Sequence, residues 1–97
     1  MEIKTTAVAG TLESSDIQIM IMNGNNGIEI TLESDVAKAY GDQIKSVITD
    51  TLKSFGLTNA KVKAVDKGAL DCVIKARTLA AAQRATQTTD KPALEVL

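Results

Sequence analysis

Few side chains in this sequence could do chemistry, and they fall into small groups. Glu13, Asp16, Glu33 and Asp35 could pair as general acid and base, but carboxylates at turns and strand ends ordinarily solvate the surface, and we read them so. Cys72 could act as a nucleophile, but the chain has no histidine to activate a thiol. On an alternating strand it reads as a small core residue. Gly24 and Gly27 lie between two alternating apolar segments, not between a strand and a helix, so they form no phosphate loop. That leaves Ser14-Ser15, an ordinary structural pair for a turn. Yet a turn serine offers what a modifying enzyme needs, a hydroxyl projecting into solvent. A hydroxyl is a poor nucleophile at neutral pH, so its activation would come from that enzyme.

The elements that position these residues follow from periodicity. Residues 3–12 read as a weak strand, and Leu12 to Asp16 as a polar turn. Ile17, Ile19 and Ile21 alternate with Gln18, Met20 and Met22, and Ile28, Ile30 and Leu32 with Glu29, Thr31 and Glu33. Period two with branched residues on one side predicts strands with one buried face. Asn23-Gly24-Asn25-Asn26-Gly27 supplies positive φ angles between them and predicts a hairpin. Ser34 or Asp35 caps the next helix, whose apolar stripe is Val36, Tyr40, Ile44, Val47, Ile48, Thr51, Leu52 and Phe55. Gly41 marks a bend or close packing, and Gly56 suits the left-handed residue that ends the helix.

Val62 and Ala64, the turn Asp66-Lys67-Gly68, and then Leu70, Cys72, Ile74 and Ala76 predict a second hairpin. Alanine-rich residues 78–86 favour a short helix. The expected architecture is α+β: an antiparallel sheet built from two β-hairpins plus a weak N-terminal strand, with one long and one short helix on one face. Its core should join Ile17, Ile19, Ile21, Ile28, Ile30 and Leu32 to Ile44, Val47, Ile48, Leu52 and Phe55. Residues 1–86 read as one domain and 87–97 as a disordered tail; residues 93–97 resemble the start of a protease-cleavage tag and are set aside.

Composition narrows the function classes. The 97 residues carry 11 bases and 12 acids, a net charge of −1, which removes the electrostatic reason to expect nucleic acid or an anionic membrane. Tyr40 and Phe55 leave little for bases to stack on in a nucleic-acid groove. Without histidine, and with one cysteine, the chain builds no internal disulfide and no zinc cluster. No apolar run approaches the roughly 18–20 residues of a membrane span. The expectation is a cytoplasmic protein that is not itself a complete enzyme.

Two longer stretches carry a resemblance. Ala9-Gly10-Thr11-Leu12-Glu13-Ser14-Ser15-Asp16 and Val65-Asp66-Lys67-Gly68-Ala69-Leu70-Asp71-Cys72 are similar to the signature segments of the citrate lyase acyl carrier proteins, the gamma subunits. The likeness runs from Met1 to about Thr86 and includes Tyr40-Gly41-Asp42-Gln43-Ile44. It implies that Ser14, the first serine of Ser-Ser-Asp, carries a phosphodiester-linked phosphoribosyl-dephospho-coenzyme A whose terminal thiol bears acetyl. It further implies an α subunit that exchanges acetyl for citrate and a β subunit that cleaves the citryl thioester to oxaloacetate. A prosthetic-group transferase and an acetyl-CoA-type ligase acting on the arm thiol complete the implied partners.

A carrier of this kind needs no histidine, metal or catalytic pair, because the cofactor brings the thiol and the partner subunits bring the catalysis. Common acyl carriers are helical bundles with an Asp-Ser-Leu motif, which this sequence lacks. The alternatives are the related malonate decarboxylase carrier and a non-catalytic assembly module without a covalent group. A small stand-alone enzyme fits poorly, given so thin a repertoire of bases and metal ligands.

Overall fold

A computed structural model describes residues 3–34 and 37–87. Three strands come first: β1 (Ala7–Ala9), β2 (Ile17–Met22) and β3 (Ile28–Ser34). Helix α1 (Ala37–Phe55), strand β4 (Ala60–Asp66) and helix α2 (Asp71–Thr86) follow. The four strands form one sheet in the order β1-β2-β4-β3, antiparallel except for the β3–β4 pair, which is parallel. Both helices cover one face, so the α+β class and the mostly antiparallel sheet agree with expectation. The proposed tail and its last five residues lie outside the described residues, as do Asp35 and Val36.

Two parts of the expected topology are corrected. The first hairpin does not form, because β4 lies between β2 and β3 and pairs with both. Segment 23–27 instead arcs over the start of β4. There Gly27 N–H donates to Asn59 Oδ1 at 2.8 Å, and a Cβ on Gly24 would come within 3.0 Å of the Ala60 carbonyl carbon. Those glycines serve a crossing and a close approach, where a two-strand turn was expected. Helix α1 then carries the chain back so that β4 runs parallel to β3, a βαβ unit.

The second correction concerns residues 70–76, expected as the returning strand of a hairpin. From Asp71 they are the first turns of α2, which is 16 residues long and not short. Leu70, Cys72 and Ala76 are exposed, whereas Ile74, Thr78, Ala81, Ala82 and Ala85 recur at helical spacing and are buried. Cys72 is therefore a surface thiol and not a core residue. Cys72→Ala should change stability by no more than about 0.5 kcal/mol in urea unfolding; a larger loss would show that the thiol packs.

The core otherwise gathers the expected residues. Ile17, Ile19, Ile21, Ile44, Ile48, Leu52 and Phe55 are buried, with Ile28, Ile30, Leu32 and Val47 partly buried against them. Tyr40 leaves this stripe and is exposed. Small residues on β4 (Ala60, Val62 and Ala64) and on α2 (Ala81, Ala82 and Ala85) let both helices approach the sheet closely. Gly56, at φ +102°, ends α1 as expected, its N–H bonding Lys53 C=O while Leu57 N–H bonds Leu52 C=O. Ile48 is wholly buried, so Ile48→Ala should cost about 2–5 kcal/mol in chemical denaturation. A loss below 1 kcal/mol, on the order of a surface change, would contradict the packing.

Candidate functional site

The segment between β1 and β2, residues 10–16, carries Ser14. Asp16 N–H donates to Glu13 C=O at 3.1 Å, closing a four-residue turn with Ser14 and Ser15 at its corners. Ser15 has φ +68° and Ser14 is not among the positive-φ residues, the pattern of a type II turn. Both serines are exposed. Ser15 is tied down through its backbone, since its N–H donates to Lys67 C=O at 2.7 Å and Lys67 N–H returns a bond to Asp16 C=O at 2.8 Å. The turn is thus stitched to the segment that leaves β4.

Asp16 organises the inside of the loop. Its carboxylate accepts hydrogen bonds from Thr11 N–H at 3.1 Å, Thr11 Oγ1 at 2.7 Å and Ile17 N–H at 2.8 Å. Arg77 on α2 closes the set with a two-pronged contact, Nε to Oδ1 at 3.0 Å and Nη2 to Oδ2 at 3.1 Å. Arg77's side chain is 42% exposed and Asp16's 13%, so the ion pair seals the loop from its rim. Arg77 above all, then Thr11 and the Ile17 amide, hold the Asp16 carboxyl far below its ordinary 3.8 against a smaller opposing effect of burial.

A carboxyl lowered on folding stabilises the folded state above its unfolded pKa. That contribution is complete above about pH 4 and is given up as pH falls toward the folded pKa. Arg77→Gln should therefore flatten the fall of stability between about pH 4 and pH 2 as well as lower it at neutral pH. Denaturant midpoints across that range test this, and parallel curves for variant and wild type would contradict it.

The other candidate residues are not brought together. Glu13 is exposed in the turn, while Asp16 faces inward onto Arg77 and so does not flank Ser14 with a free charge. Glu33 lies on the solvent face of β3, separated from β2 by β4. Cys72 opens α2 and lines a groove of about 680 Å³ between that helix and α1. Among the described residues, no group of three or more His, Cys, Asp or Glu could hold a metal ion. No described helix is long and apolar enough to cross a membrane. Sequence reasoning missed Arg77 and Lys67, whose roles depend on which elements meet in space. Gly10 carried a signal in its residue type: its φ is +88°, and a Cβ there would collide with the Ile17 carbonyl oxygen.

Comparison with known proteins places the chain in a family. The model of an acyl carrier family, the malonate decarboxylase delta subunit (MdcD), matches residues 4–85. The citrate lyase acyl carrier protein of Lactobacillus helveticus (strain DPC 4571) is 82% identical over 97 residues, all of both chains. That of Lactobacillus acidophilus (strain ATCC 700396 / NCK56 / N2 / NCFM) is 78% identical over the same span. This chain belongs to the citrate lyase acyl carrier proteins. Full-length alignment takes in residues 93–97 as well. The fold of this acyl carrier family member also matches a chain of a Pseudomonas malonate decarboxylase hetero-tetramer solved in complex with malonate. The TM-score is 0.74 over 88% of each chain at 15% identity, a likeness of fold alone. A four-stranded sheet covered by two helices therefore builds this acyl carrier.

Proposed function

We propose that this chain is the non-catalytic acyl carrier subunit of a cytoplasmic citrate lyase and that Ser14 is its attachment point for phosphoribosyl-dephospho-coenzyme A. The observation that supports it is the exposed Ser14 corner, anchored on both sides by bonds that do not use its hydroxyl. A phosphodiester there demands an oxygen clear of the fold on a backbone that does not yield, and the residues present fit that demand. The group supplies a thiol that carries acyl groups between the transferase (α) and lyase (β) subunits. The chain's own residues hold and present. Arg77 and Asp16 keep the loop closed, the Lys67 backbone fixes Ser15, and exposed Glu13 sets a negative charge beside the serine.

Covalent tethering makes each meeting with a partner active site intramolecular, so weak subunit contacts suffice. The test is co-expression with the prosthetic-group transferase and its precursor, followed by intact mass and by citrate cleavage with added α and β subunits. A mass increase of one arm together with oxaloacetate formation supports the proposal. An unmodified wild-type chain under those conditions would favour the assembly-module reading. Turnover with malonate decarboxylase subunits alone would favour the related carrier.

A further inference from the structure

The groove lies at the same end of the sheet as the serine turn. Ile17 of β2, Asp66 of β4 and Ser34 of β3 make the last paired row there. Lys67, which accepts the Ser15 N–H bond, is followed directly by Gly68 on the groove wall. We propose that this groove seats the adenine nucleoside portion of the serine-linked arm, with the Tyr40 ring against the base and Gln43 and Asp71 at its hydrogen-bonding edge. The inference rests on Ser14 as the attachment point, although binding of the free nucleoside to the groove does not.

Three observations carry it. First, a groove of about 680 Å³ floored by Ile44 and Ile74 falls in the usual range for a small-molecule site. It leaves Tyr40 57% and Leu70 71% exposed, large apolar surface awaiting a flat partner. Second, among the described residues the lining includes Asp66 and Asp71 but no lysine or arginine, which disfavours phosphates and carboxylates and suits a neutral ring bearing an amino donor. Both oxygens of the Asp66 carboxylate accept bonds, Oδ2 from Ser34 Oγ at 3.0 Å and Oδ1 from Ala69 N–H at 3.0 Å, whereas Asp71 accepts at Oδ2 and keeps Oδ1 to receive a ligand donor. Third, Gln43 Nε2 donates to Asp71 Oδ2 at 2.9 Å across the groove. That places an amide, able to donate and accept as adenine requires, beside the acceptor. The nucleotide end of the arm is the part nearest the serine, so seating it pins the base of the arm and leaves the thiol end free.

The test begins with the unmodified, isotope-labelled chain, titrated by NMR with adenosine, dephospho-coenzyme A and pantetheine through the millimolar range that tethering would reach. Adenosine and dephospho-coenzyme A should shift the Ala69, Leu70 and Asp71 amides and the Tyr40 ring, and pantetheine should not. Tyr40→Ala should weaken adenosine about tenfold, whereas Tyr40→Phe retains it. Response to pantetheine alone, or no response at the groove to adenosine, overturns the proposal. On the mass-verified modified chain the same resonances should differ from those of the unmodified chain. Groove resonances identical in the two forms overturn the nucleoside seat while leaving Ser14 attachment standing. An arm found on another residue, with adenosine still bound, supports the seat and removes the Ser14 reading.

Discussion

Ser14→Ala should abolish both the covalent adduct and citrate cleavage while leaving the chain folded. Its side chain is exposed, and none of the bonds that hold the turn passes through its hydroxyl, so alanine at this corner costs little stability. The effect on turnover is complete rather than graded, because a carrier without its arm delivers no substrate to either partner. Ser15 provides the control. It too is exposed, but its φ of +68° is a conformation that alanine adopts reluctantly. Ser15→Ala should keep the adduct and lose about 1 kcal/mol, and Ser15→Gly should keep both adduct and stability. Intact mass, circular dichroism and reconstituted turnover on the three variants decide the matter. An adduct on Ser14→Ala but not on Ser15→Ala would move the site by one residue.

Gly10→Ala should be the most damaging single change to the fold outside the core. At φ +88° any L side chain is strained, and the added Cβ would collide with the carbonyl oxygen of Ile17. That neighbour is backbone, so relief requires β1 and β2 to part just where the loop begins. We expect a loss on the order of 3 kcal/mol or more, and poorer modification of Ser14 because the turn loses its foundation. Urea unfolding would measure the first and intact mass the second. A variant within 1 kcal/mol of wild type, roughly the size of an ordinary surface change, would mean that the loop reaches its shape by another route.

The faces of the elements were more legible in the sequence than their order in space. Ile17, Ile19 and Ile21, and the stripe from Ile44 to Phe55, announce buried sides through strong periodicity, and the structure buries them. Neighbouring strands are another matter. The 23–27 segment has the composition of a tight turn, and only the insertion of β4 shows that its glycines make a crossing. Helix α2 was hidden because its core side is mostly alanine and threonine, which carry little contrast, while Leu70, Cys72 and Ile74 happen to alternate. The serine turn itself could be read from Ser, Ser and Asp. Its lock could not, since Arg77 lies 61 residues from Asp16 in the chain.

The central position of β4 also governs how the molecule comes into being. β2 and β3 are made early but cannot hydrogen-bond to each other in the finished sheet, so a one-strand gap stands between them until residues 60–66 arrive. On the ribosome, no part of the sheet beyond β1–β2 can close before two-thirds of the chain has emerged. Folding therefore depends on contacts distant in sequence, which makes for slow closure and for early strands with unpaired edges. The α1 crossover that delivers β4 into the gap is thus the step that pairs the facing edges of β2 and β3 and leaves β1 and β3 as the outer strands of the sheet.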